Sequence, residues 1–211
     1  HQSSLPDNSC WLTFDDGYID HYHSVVPALE QRGWQGSFFV PVTVITDRKL
    51  LDVNKIHLIL SKAPSVRDLL SDIESHIYAS TNSEFIQSCK TLSTPLADHP
   101  DSLVRRWSDS PDVVAIKRVL QQAVPHFQRN NLVDQLFKNY VSDDPYSIAS
   151  DLYMSEHQIK DLVARGMYVG SHGYNHTWLS TLTNTEQIFE VEESIKFLDK
   201  VGSPTDSWIM C

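Results

Sequence analysis

Residues 10–17 read Cys-Trp-Leu-Thr-Phe-Asp-Asp-Gly, a short apolar run halted by two carboxylates and a glycine. The run at residues 10–14 predicts a strand that ends in a loop at Asp15, Asp16 and Gly17. Tyr22, Val25, Val26 and Leu29 follow at helical spacing, with Pro27 near the helix start and Gly33 placed to end the helix after Arg32. Residues 36–42 then supply a second, buried strand. A strand, a helix and a strand within about thirty residues form a βαβ unit, which predicts an α/β fold with a parallel sheet or barrel covered by helices.

Further along, residues 47–149 change character. Val113, Ile116, Val119, Leu120 and Ala123 recur at three and four, as do Leu132, Leu136, Phe137, Tyr140 and Val141. Pro64, Pro95, Pro100, Pro111, Pro125 and Pro145 divide the stretch into short pieces. It reads as a helical insertion within one domain spanning residues 1–211. The α/β rhythm resumes at Ser155, where Ser-Glu-His-Gln matches a capping box and Gly166 closes the helix. Residues 167–170 predict a buried strand running into Ser171-His172-Gly173-Tyr174-Asn175-His176. Thr183-Asn184-Thr185-Glu186 caps another helix, whose apolar face is expected at Ile188, Val191, Ile195 and Leu198 and whose end is expected at Gly202. Residues 207–210 predict the start of one more strand.

Bulk properties narrow the function classes. A formal net charge of -10 disfavours a surface that tracks phosphates, so no nucleic-acid partner is expected. No apolar run approaches the roughly 20 residues that span a bilayer, so no membrane span is expected. Cys10, Cys89 and Cys211 are scattered and lack Cys-x-x-Cys spacing. They suggest neither a disulfide framework nor structural zinc, and they fit a reducing cytoplasm. The chain starts at His1 and stops at Cys211 after an apolar run, which reads as a cut at both ends.

Two constellations carry chemistry. Asp15 and Asp16 stand at the end of a strand, where α/β folds display catalytic groups. Strand neighbours face opposite sides, so both carboxylates can serve one site only if the chain turns there, and Gly17 permits that turn. Alone, Asp-Asp-Gly reads first as a polar turn. His172 and His176, four residues apart, bring two imidazoles to one side of a helical or tight-turn segment and suit a first-row metal. Because this pair also follows a buried strand, it is expected at the same end of the sheet as Asp15 and Asp16.

These two motifs resemble those of the polysaccharide deacetylases that share the NodB-homology domain. Residues 13–17 look like the family's first motif, residues 171–176 like its second, and residues 36–40 are similar to its second strand. The resemblance implies a distorted (β/α) barrel, here incomplete, in which Asp15 is the catalytic base and Asp16, His172 and His176 bind a divalent metal, expected to be Zn2+. It implies a metal-dependent hydrolase that removes acetyl groups from an N-acetylated or O-acetylated carbohydrate. Two imidazoles and one carboxylate leave a metal position open for water, and Asp15 would take the proton as that water attacks the acetyl carbonyl. Later family motifs, including a histidine acid, are expected beyond Cys211, with residues 208–211 where the third would begin.

Other readings stay open. Phosphoryl transfer on an aspartate fits the paired carboxylates but leaves the histidines without a role. A catalytically inactive glycan-binding or assembly module would keep the metal and use the helical stretch as its surface. Trp178 and Tyr174 flank the histidine motif and could stack on a sugar ring, while His21 and His23 are expected on the surface of a first helical turn.

Overall fold

Three short parallel strands carry the half of the molecule that holds these motifs. They are β1 (Thr13–Asp15), β2 (Ser37–Val40) and β3 (Tyr168–Ser171), hydrogen-bonded in the order β1-β2-β3. The computed structural model describes residues 7–93 and 109–211. The chain divides into two compact units, one of residues up to Leu50 with Pro145–Cys211, the other Leu51–Asp144.

In the first unit, β2 is the central strand, and all four of its residues are buried. A parallel strand covered on both faces needs such a continuous run rather than an alternating one. Asp15 pairs with Phe39, and Val40 pairs with Ser171. Parallel pairing therefore makes Asp16 and His172 leave the sheet at the same end, as the sequence predicts. The mixed helix and sheet architecture agrees with the α/β expectation.

Several boundaries shift. The first strand starts at Thr13 instead of Cys10, and it includes Asp15. The second stops at Val40, because Pro41 caps a helix, α2 (Val42–Thr46), where the sequence had extended the strand to residue 42. Between β1 and β2, a π-helical turn (His21–Val25) precedes α1 (Val26–Glu30). Pro27, which has no N–H to donate, lies in the first turn of α1. Residues 207–211 contribute a single parallel bridge, Met210 with Ser171, and no full strand.

Helices α8 (Pro145–Leu152), α9 (Glu156–Ala164) and α10 (Asn184–Val201) complete this unit. Both predicted capping boxes form, Ser155 with Gln158 and Thr183 with Glu186. Gly202 takes the left-handed conformation, φ 82°, that ends α10. The buried face of α10 differs from the expected one. Glu190, Ser194, Phe197, Leu198 and Val201 are buried, whereas Ile188 is 57% exposed.

The second unit is helical: α3 (Asp52–Lys62), α4 (Val66–Ala79), α5 (Ser83–Ser93), α6 (Pro111–Gln122) and α7 (His126–Tyr140). Its prolines act as punctuation. Pro64 lies between α3 and α4, Pro111 opens α6 and Pro125 directly precedes α7. Pro95 and Pro100 fall outside the described residues. Ile56, Ile59, Leu69, Phe85, Ile116, Leu120, Leu132 and Val133 form its core. Burial pushes the Cys89 thiol up to about 11, which makes it unreactive at neutral pH. Among the described residues no helix is long and apolar enough to cross a membrane.

Gly170 shows how tightly the strand that delivers His172 is held. A Cβ there would lie 2.5 Å from Phe39 Cε1 and 2.8 Å from the backbone oxygen of Ile209. That oxygen is already fixed by the Ser171 N–H at 3.0 Å. Gly170→Ala is expected to destabilise the fold by about 1–3 kcal/mol, the usual cost of overpacking, read as a lower midpoint in urea unfolding. An unchanged midpoint would contradict this packing account.

Candidate metal centre

At the end of β1 the backbone does something unusual. Asp16 and Gly17 are both left-handed, with φ of 69° and 72°. The sequence assigned the turn to Gly17 alone, yet Asp16 shares it. For a residue with a Cβ this conformation costs roughly 1–2 kcal/mol, so the surroundings must hold it. The Gly17 carbonyl accepts from Met154 N at 2.9 Å, and Arg48 Nη1 donates to the carbonyls of Tyr153 and Met154 at 3.2 and 2.7 Å. The Tyr18 ring stacks on Tyr153, centroids 5.8 Å apart. This turn separates the two neighbouring carboxylates, leaving Asp15 in the strand and aiming Asp16 across the sheet end.

The histidine motif is likewise an irregular loop and not a helix. Gly173 has φ 81° and His176 φ 58°, so a second member of the cluster sits in the left-handed region. Such strain persists at functional sites because the surrounding structure over-determines it. Asp16 Oδ1 lies 3.5 Å from His172 Nε2 and 3.4 Å from His176 Nε2. His172 Nδ1 is 2.7 Å from the Cys211 carbonyl oxygen. A carbonyl can only accept, so Nδ1 carries a proton and Nε2 faces Asp16.

Electrostatics favour an ionised Asp16. Burial opposes the charge, but hydrogen bonds from His172 and Tyr18 and the nearby His176 hold the carboxyl below its usual range. Burial also opposes a charge on His172, yet Asp16 and the Cys211 carbonyl outweigh it and raise its pKa.

The donor atoms of Asp16, His172 and His176 lie within 4.8 Å of one another. A tetrahedral ion with bonds of about 2.0–2.1 Å has ligand–ligand edges of roughly 3.3 Å. The 3.4 and 3.5 Å from Asp16 Oδ1 to the two histidines match that edge, and the three donors together stay within 4.8 Å. Two imidazole nitrogens and a carboxylate oxygen suit zinc or a similar first-row ion. The residues present therefore fit a divalent metal.

Asp15 Oδ1 is buried without a hydrogen-bond partner among the described residues, and Oδ2 lies 3.9 Å from Cys211 Sγ. His21 is not the surface residue expected. Its ring packs against Phe14 and Tyr18, 5.6 Å from each, and burial lowers its pKa. His23 is exposed as expected.

A family model described as polysaccharide deacetylase matches residues 2–76 and 98–211. The chain belongs to the polysaccharide deacetylase family. No curated protein and no solved structure matches it. The family is one of carbohydrate deacetylases, hydrolases whose members commonly bind a divalent metal. The match includes much of the helical stretch and leaves out residues 77–97.

Two features of this deacetylase-family chain escape a reading of its motifs. One is Glu190 on α10, a buried carboxylate whose Oε2 accepts from Tyr174 N at 2.7 Å and Asn175 N at 2.9 Å, and whose Oε1 accepts from Asn175 Nδ2 at 2.8 Å. The other is a cavity of about 390 Å³ lined by His172, His176, Trp178, Leu179 and Met210 among others. Trp178 is 63% exposed. The Tyr174 ring meets Phe189 edge-on at 5.2 Å, while Trp178 lines the cavity with the two histidines.

Proposed function

We propose that the chain hydrolyses acetyl groups on an N-acetylated or O-acetylated carbohydrate, with Asp16, His172 and His176 holding a divalent metal, Zn2+ first among the candidates, and Asp15 acting as base. The observation that carries the reading is the convergence of both Nε2 atoms on one Asp16 oxygen, from two parallel strands that flank β2 and end on the same side of the sheet. A bound divalent ion would polarise the acetyl carbonyl and lower the pKa of water. Asp15 Oδ1, buried and without a protein hydrogen bond, takes the proton of the attacking water. Asp16 contributes its negative charge, and the Cys211 carbonyl keeps His172 turned with Nε2 toward the site. Acetamide or acetate ester plus water gives acetate plus the freed amine or hydroxyl.

The parallel three-stranded sheet supports reading this unit as part of a distorted (β/α) barrel, with residues 47–149 as a helical insertion. The phosphoryl-transfer alternative loses ground, because the histidine pair faces Asp16 and so has a role. The test is acetate release from chitooligosaccharides or aryl acetates by protein loaded with Zn2+ and by protein stripped with chelator. Release that depends on the metal is expected. Release unaffected by stripping would contradict the proposal.

Trp178 gives a finer expectation. A sugar ring laid on its exposed face would gain about as much as an aromatic pair, roughly 0.5–1.5 kcal/mol. Trp178→Ala should raise KM for chitooligosaccharides by about 2–10-fold, that energy expressed as a ratio, while turnover of a small aryl acetate stays within twofold. Equal loss on both substrates would assign Trp178 to the fold instead.

A further inference from the structure

We infer that Glu190 is a positioning residue, which sets the spacing of His172 and His176 by clamping the loop between them; the inference rests on the metal-binding reading above. Four-residue spacing places two histidines on one side of a helix because helical hydrogen bonds fix the backbone between them. Here that backbone is irregular, with Gly173 at φ 81° and His176 at φ 58°, so other groups must hold it.

Both sides of the loop are held. The carbonyls of Gly173 and Tyr174 accept from Val42 N at 3.1 Å and Thr43 N at 3.0 Å. Those are first-turn N–H groups of α2, which have no partner within their own helix. On the other side, the Tyr174 and Asn175 N–H groups donate to Glu190 Oε2, and the Asn175 side chain donates to Oε1. Lys49 Nζ reaches Asn175 Oδ1 at 3.3 Å. Gly173 completes the fit, because a Cβ there would come within 3.2 Å of Glu190 Oε2.

A buried carboxylate is costly unless it is well hydrogen-bonded. Glu190 is 3% exposed, and among the described residues no Lys or Arg pairs with it. Its charge is directed at the loop. A helix face built for packing alone would place an apolar residue here, and α10 instead leaves Ile188 exposed and turns Glu190 inward. Glutamine cannot replace it without loss. Its NH2 group would face either the two backbone N–H donors or the Asn175 amide.

The test compares wild type, Glu190→Gln and Glu190→Ala with Val201→Ala, a packing change at a buried position of the same helix. Zn2+ affinity is measured by chelator competition, the visible spectrum of the Co2+-substituted full chain reports ligand geometry, and urea unfolding of metal-free protein reports stability. Both Glu190 variants should lose affinity by about 10–100-fold, as for partners that orient metal ligands, with an altered Co2+ spectrum. Val201→Ala should lose stability while keeping wild-type affinity and spectrum. Glu190→Gln keeps the side-chain volume and serves if Glu190→Ala does not fold. Glu190→Gln binding Zn2+ as tightly as wild type, with the same spectrum, would overturn the inference alone. Wild type that binds no Zn2+ would overturn the metal-binding reading beneath it.

Discussion

His172→Ala and His176→Ala are each expected to lose metal affinity by roughly 70–900-fold, and acetate release with it. The magnitude follows from structural zinc sites, where roughly 10–16 kcal/mol of binding is spread over four ligands, so that one ligand is worth about 2.5–4 kcal/mol. The folded chain should tolerate both changes, since neither histidine is part of the buried core. Chelator competition on the purified variants measures the loss, and urea unfolding separates it from misfolding. Retention of metal by both variants would remove the histidine pair from the site.

Asp15→Asn should behave in the opposite way. Asparagine preserves the shape of the side chain but cannot take a proton, so kcat should fall by roughly 10²–10⁴-fold, the span typical of general acid–base catalysis. Metal content should stay at the wild-type level, because the cluster consists of Asp16, His172 and His176. The pair of results is diagnostic: histidine variants lose metal and activity together, whereas Asp15→Asn loses activity alone. A variant that also loses its metal would make Asp15 a ligand.

The motifs were legible because each follows a strand, and strand ends are where a parallel sheet gathers its chemistry. Reading residues 10–17 and 171–176 as strand-to-loop junctions brought Asp16, His172 and His176 to one sheet end, where the structure has their donor atoms close together. Pro41 hid the strand-to-helix switch, since Val42, Val44 and Ile45 are as apolar as the strand before them. The backbone strain at Asp16 and His176 left no mark in composition, because neither residue is a glycine.

Glu190 was missed for a different reason. The apolar positions Ile188, Val191 and Ile195 offered a plausible inward face, and hydrophobicity alone decides for it. The observed face instead runs through Glu190, Ser194, Phe197, Leu198 and Val201. The carboxylate at the head of that face accepts hydrogen bonds from the histidine loop, a role that apolar periodicity does not register. The one available signal was the helical spacing of Glu190, Ser194 and Leu198, which a search for apolar periodicity passes over.

Anomalous diffraction from crystals of the Zn2+-loaded chain tests the central claim most directly. One zinc ion is expected, bonded to His172 Nε2, His176 Nε2 and an Asp16 carboxylate oxygen at about 2.0–2.2 Å. Zinc bound elsewhere, or no anomalous peak between these three residues, would contradict it.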